Sequence, residues 1–189
     1  MVSDFFTLKS VINMKTLCIS TMLLILLASC EKEPQPPQQE GPWWGEAAAE
    51  KNGIQWEGSP YAVVSKNFPD RLTIFLDSLD KNSLRREQLS FYRVPLIGGT
   101  YPVLDAPPQV EDSLVRSTLY YVEVDVLYGV YKILEADSSS FITITSYDSV
   151  SKEVKGTFDV TFITEIKPYA SAPDTIRMRN GTFHTKVIK

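Results

Sequence analysis

Histidine is almost absent from this 189-residue sequence: His184 is the only one. Cysteine is nearly as scarce, with Cys18 and Cys30 both near the N-terminus. A Ser–His or Cys–His pair for nucleophilic catalysis therefore has one residue to draw its base from, and a histidine–cysteine zinc site has no ligand set. No apolar run reaches the roughly 20 residues that a membrane-spanning helix needs. Positive charge is not in excess either. Lys and Arg number 19 against 23 Asp and Glu, a formal net charge of −4. Phosphate recognition needs a basic patch, so nucleic acid is excluded as a partner.

The N-terminal region carries an address. Met14-Lys15 precedes an apolar stretch from Thr16 to Ala28, about 13 residues long, too short to cross a bilayer. A basic residue, a short apolar core and small residues at its end form a secretory signal. The stretch ends in Leu27-Ala28-Ser29-Cys30. This tetrapeptide resembles the lipobox of bacterial lipoproteins. The resemblance implies that the Cys30 thiol accepts a diacylglyceryl group and that residues 1–29 are cleaved, with Met14 a candidate start of translation. Several acyl chains, each buried methylene contributing roughly 0.8 kcal/mol, would hold the chain at a membrane. Without residues 1–29, which carry Lys9, Lys15 and Asp4, 17 basic and 22 acidic side chains remain, a net −5, and Cys30 is the sole cysteine.

Residues 30–42 hold four prolines and no large apolar side chain. They read as a disordered, semi-stiff Pro/Gln-rich tether. Residues 43–189 then form one domain, large enough to bury roughly 70% of its extended-chain surface. That domain reads as all-β. Leu72, Ile74 and Leu76 alternate with Thr73, Phe75 and Asp77. Phe158, Val160 and Phe162 alternate with Thr157, Asp159 and Thr161, and Phe183, Thr185 and Val187 alternate with His184 and Lys186. Similar alternation runs over Leu89–Tyr92, Tyr120–Val126 and Ile142–Thr145. A period of two with one polar face marks antiparallel sheet. Asn52-Gly53, Gly98-Gly99, Asp148–Ser151 and Asn180-Gly181 supply turns or a bulge. Only Glu46–Lys51 and Asn82–Gln88 are helix-friendly. The expected fold is an antiparallel β-sandwich or closed barrel of about eight strands.

Five pieces in order carry a family resemblance: N-G-I-Q-W at 52–56, P-L-I-G-G-T-Y at 95–101, I-T-I-T-S-Y-D at 142–148, V-K-G-T-F-D-V-T-F at 154–162 and R-N-G-T-F at 179–183. In them the chain resembles a group of uncharacterised lipoproteins from Bacteroidota, from about Asn52 onward. The resemblance implies an all-β fold and an outer-membrane location, on the periplasmic or the surface-exposed face. It implies no active site.

The search for chemistry returns little. His184 falls on the polar face of the last strand and is expected to be solvated. Glu123 with Asp125, or Glu111 with Asp112, could serve as the carboxylates of a hydrolase, but the solvated face of an antiparallel strand is the better account of the first pair. Asp77–Asn82 lacks the glycine and closing glutamate of a calcium loop. Trp56 is expected in the core, while Trp43-Trp44 stands at the tether exit, placed to pack on the domain, meet headgroups or stack on a sugar. Asp-Ser/Thr followed by an apolar residue occurs at Ser78, Ser113, Ser149 and Thr175. The pattern resembles the O-glycosylation acceptor of Bacteroidota envelope proteins, and Asp-Ser is also common in turns. The resulting expectation is a non-enzymatic envelope lipoprotein that presents a binding or structural module to a protein or glycan, with no cofactor and no metal. The alternatives are a barrel-type carrier of a small ligand and a carboxylate-dependent hydrolase.

Overall fold

A computed structural model describes residues 42–65, 67–105, 114–123, 126–135 and 139–188. Ten strands account for most of them: β1 Glu46–Lys51, β2 Ile54–Ser65, β3 Phe68–Leu79, β4 Arg85–Pro95, β5 Gly99–Pro102, β6 Arg116–Glu123, β7 Val126–Ile133, β8 Phe141–Tyr147, β9 Glu153–Ile166 and β10 Thr175–Ile188. The described residues contain no helix. The fold is all-β, as the alternation implies.

The strands form one sheet that closes on itself. β1, β2, β3, β4, β6, β7, β9 and β10 pair in that order, and β10 returns to β1, giving a barrel-like ring of eight. Every pairing in the ring is antiparallel except a short parallel contact, Val187 and Ile188 beside Ala62 and Val63, where β10 meets β2 directly. The remaining two strands, β8 and β5, extend the sheet outward from β9. Its first half pairs with β8 and its second half with β7, and β5 extends the sheet from β8.

Turn chemistry explains the connections. Asn52 and Gly53 both have positive φ, 51° and 80°, and join β1 to β2 in a two-residue loop. A type I′ turn requires that sign at both positions, which is why Asn-Gly stands there. Asp148 accepts the backbone N–H groups of Val150 and Ser151 and closes the β8–β9 hairpin. Asn180-Gly181 is a bulge within β10, where the register against β9 jumps between Met178 and Gly181.

Four elements differ from the expectations. Glu46–Lys51 is strand β1, and the Asn82–Gln88 stretch is divided between the β3–β4 loop and strand β4. Neither segment is long enough to hold a helix without packing, and both find sheet partners. The alternation over residues 120–126 spans two strands, β6 ending at Glu123 and β7 beginning at Val126. Thr161, expected outside, is buried although it lies on the outer face. Its hydroxyl accepts from Arg179, its N–H donates to the Ser140 hydroxyl, and its carbonyl accepts from Leu134.

The interior is one continuous apolar cluster. Leu72, Ile74, Leu76, Leu89, Phe91, Leu119, Tyr131, Phe158, Val160 and Phe162 are all fully buried in it, and Trp56 joins them as expected. Eight strands enclose a space just wide enough for side chains to fill. Glycines provide room for rings. A Cβ at Gly58 would strike the Trp56 indole, one at Gly181 the Phe158 ring, and one at Gly156 the Phe183 ring and the Thr143 carbonyl.

Candidate functional site

The β1–β2, β3–β4, β6–β7 and β9–β10 connections all fall at one end of the ring, here called the hairpin end. Just inside it lies a polar cluster. Lys51, the last residue of β1, reaches Glu87 of β4 with 2.5 Å between Nζ and Oε1, and its Nζ donates to the Tyr121 hydroxyl of β6 at 2.8 Å. Trp56 Nε1 donates to the other carboxylate oxygen of Glu87 at 3.1 Å. Lys51 also lies 4.8 Å from the centroid of the Tyr121 ring.

Register places these side chains inside. Lys51 continues the inward series of Ala47 and Ala49, and Glu87 continues that of Leu89 and Phe91. Glu87 pairs with Tyr121 across β4 and β6, and with Ser78 across β4 and β3. The pair is largely withdrawn from water, with 19% and 16% of the two side chains exposed.

The β9–β10 loop folds over the cluster. Pro168 lies where a Cβ at Gly129 would be, and the Tyr131 hydroxyl donates to the Pro173 carbonyl at 2.7 Å. Tyr121 packs against Tyr128 and Tyr131. Burial pushes the Tyr121 phenol far above its ordinary value, and the negative charge of Glu87 pushes it the same way. Tyr121 therefore stays a neutral phenol. It accepts from Lys51. Every member of the cluster is thus engaged by another member. Both Glu87 oxygens accept a hydrogen bond within the cluster, Oε1 from Lys51 and Oε2 from Trp56.

Of the residues singled out from sequence, Trp56 belongs to this cluster. Cys30 and Ser113 fall outside the described residues, as do Glu111, Asp112 and Asp125. Glu123 is an exposed rim residue whose Oε1 lies 3.4 Å from Arg86 Nη1. In the Asp77–Asn82 segment, Asp80 accepts the backbone N–H groups of Asn82 and Leu84 and pairs with Arg86 at 2.7 Å. Its oxygens are spent on closing the β3–β4 loop. Among the described residues no group of three His, Cys, Asp or Glu side chains is placed to hold a metal ion. Ser149 is exposed in the β8–β9 turn, Ser78 is half-buried opposite Glu87, and Thr175 is half-buried at the start of β10. Of these three, Ser149 is the most accessible to a modifying enzyme.

His184 lies on the outer face of β10 but is only partly solvated. Its Nε2 sits 3.0 Å from Glu153 Oε2, and the Trp44 indole meets its ring edge-on at 5.0 Å. Both Trp43 and Trp44 pack on the barrel wall. Trp44 lies beneath the Lys186 ammonium at 4.2 Å, while Trp43 turns the other way to Asp77. Gly45 between this pair and β1 has φ 89°, and a Cβ there would collide with the His184 carbonyl.

Two shallow depressions lie on the outer wall. One, of about 330 Å³, is lined by Glu50, Asn52, Gly53, Thr175, Arg177 and Arg179. The other, of about 400 Å³, covers β1 and its neighbours around Ala48, Glu57 and Thr182.

Sequence reasoning passed over Lys51 and Glu87 because both sit in the two stretches read as helix-friendly. Read as strands, Ala47-x-Ala49-x-Lys51 and Glu87-x-Leu89-x-Phe91 each place a charge in an inward series, and that is the signal that finds them. No protein-family model matches the chain, and no curated protein or solved structure is significantly similar to it.

Proposed function

We propose that this chain is a lipid-anchored module of the bacterial cell envelope, which recognises or braces a protein or glycan partner and performs no chemistry on it. The observation that carries this reading is the self-satisfied cluster of Lys51, Glu87, Trp56 and Tyr121. The charged pair inside the described barrel is bonded to itself and to the two aromatic side chains beside it, Lys51 donating to Glu87 and Tyr121, and Glu87 accepting from Lys51 and Trp56. The barrel around it is filled by aromatic and aliphatic side chains, with glycines giving their space to rings. That favours recognition by the outer surface over carriage of a ligand in a lumen. Glu123, the one described carboxylate of the hydrolase alternative, lies on the exposed rim and not in a cleft.

The envelope location rests on Leu27-Ala28-Ser29-Cys30, on the Pro/Gln-rich segment after it, and on the resemblance to Bacteroidota lipoproteins. Labelled palmitate should be incorporated by the wild-type chain and lost in Cys30→Ala. Equal incorporation by both overturns the anchor. Glycan hydrolysis by the purified chain that disappears in Glu123→Gln overturns the non-enzymatic half.

A further inference from the structure

The exposed large apolar side chains are unevenly placed. Val126, Leu127 and Tyr128 at the start of β7, with Ile166 at the end of β9 and Tyr169 just beyond, are between 36% and 64% exposed. β7 and β9 are neighbours, with Val130 opposite Ile166, so the five side chains gather on adjacent elements at the hairpin-end rim. The other exposed large apolar side chains are scattered, Ile54 and Val64 at opposite ends of β2, and Trp44, Ile97, Leu104 and Val150 on separate segments outside the strands. Contiguous apolar patches on a surface mark an interaction site, whereas scattered ones do not.

We propose that this rim rests on the lipid bilayer in which the chain is anchored. The proposal depends on the lipid-anchor reading of Cys30. Geometry permits the contact. The twelve residue steps from Cys30 to Pro42 reach roughly 40 Å at about 3.1 Å per residue. The described chain begins on the side wall, and the five steps from Glu46 to Lys51 place the hairpin end only about 17 Å further, at about 3.3 Å per step. The tether is therefore long enough to let the rim turn down onto the same membrane.

Size selects lipid over a protein partner. Five side chains offer on the order of a few hundred Å², short of the roughly 800 Å² per partner of a stable protein interface. A tethered surface needs far less, because the second contact is intramolecular and its effective concentration is in the millimolar range. The chemistry of the rim fits as well. Two tyrosines among aliphatic side chains present apolar bodies with polar tips, the arrangement favoured at a bilayer–water boundary. Among the described residues, two cations near the patch are paired, Lys167 with Asp174 at 2.8 Å and Arg86 with Glu123. The contact is therefore apolar and largely insensitive to salt.

The test uses the full-length processed chain, reconstituted in vesicles of phosphatidylethanolamine and phosphatidylcholine. Acylation of Cys30 leaves an introduced cysteine as the single thiol. Leu127→Cys and, separately, Tyr169→Cys on the rim, and Val150→Cys at the opposite end, are labelled with an environment-sensitive fluorophore. Lipids carrying a quencher in the upper acyl chain should quench the rim labels several-fold more than the label at 150, with little change in high salt. Equal quenching at all three positions, or none on the rim, overturns the proposal. Intact mass separates the two readings. An acylated chain whose rim is unquenched removes this proposal alone, whereas a chain without acyl mass removes the anchor and this proposal together.

Discussion

The indole N–H of Trp43 donates to Asp77 Oδ2 at 3.0 Å and ties the chain ahead of β1 to the outer face of β3. Asp77 is 1% exposed although it lies on the solvent side of its strand, because Trp43 covers it and Gln88 Nε2 donates to its other oxygen at 2.8 Å. Burial pushes its carboxyl above the ordinary value, and the two hydrogen bonds and Arg85 offset only part of that. Trp43→Phe keeps a ring and removes the donor, so it should destabilise the chain by about 1–3 kcal/mol at neutral pH, as unsatisfied buried groups do. In an Asp77→Asn background the same change should cost less. A double-mutant cycle by urea denaturation checks this, and strictly additive effects would refute the link.

The Asp77 shift also has a sign. A carboxyl raised in the folded state favours the protonated form, so its contribution is complete below the unfolded value of about 3.9 and is lost as pH rises through the folded value. Asp77→Asn should therefore gain stability relative to wild type as pH rises from about 4 towards 7. A constant difference across that range would count against it.

Asp80 and Asp148 have the opposite sign. The backbone N–H of Leu84 foremost, and Arg86 with it, hold the Asp80 carboxyl below its usual range, while the N–H groups of Val150 and Ser151 do the same for Asp148. The stability they contribute is present above the unfolded value of about 3.9 and is lost as pH falls through the folded values. The Asp80→Asn/Asp148→Asn double variant should lose less stability than wild type between about pH 4 and pH 2. Parallel acid titrations followed by circular dichroism provide the measurement.

The Lys51–Glu87 pair should behave as a unit. Glu87→Gln leaves the ammonium without its counter-charge beside a buried phenol and should cost about 1–3 kcal/mol, below the range for a fully buried pair because both side chains keep some access to water. Lys51→Met combined with Glu87→Leu should restore much of that loss, since an apolar replacement of both partners is often neutral. Thermal unfolding of the single and double variants decides it. A double variant worse than the sum of the singles would contradict the assignment.

Packing inside the ring makes a further prediction. Phe158→Ala should destabilise by roughly 3–5 kcal/mol, the usual cost of emptying a core aromatic site. Gly156→Ala should also destabilise, by about 1–3 kcal/mol, because its Cβ meets a backbone carbonyl that cannot move aside. A loss well under about 1 kcal/mol for Phe158→Ala, on chemical denaturation, would remove that ring from the core.

Much of this protein was legible in the order of its residues. Alternation with period two is a local property, so the all-β class, the inward Phe158, Val160 and Phe162, and the Asn52-Gly53 and Asp148–Ser151 turns follow from neighbours in the chain. The candidate anchor at Cys30 is likewise a contiguous motif. Only the tertiary structure decided that the strands close into a ring, that Lys51 and Glu87 meet across three strand pairings, and that Trp43 seals Asp77. Short segments such as Glu46–Lys51 carry too little local signal to choose between helix and strand. Their state is set by partners, here β2 across a two-residue turn and β10 at the far end of the chain, and a charge becomes an interior residue only once that choice has been made.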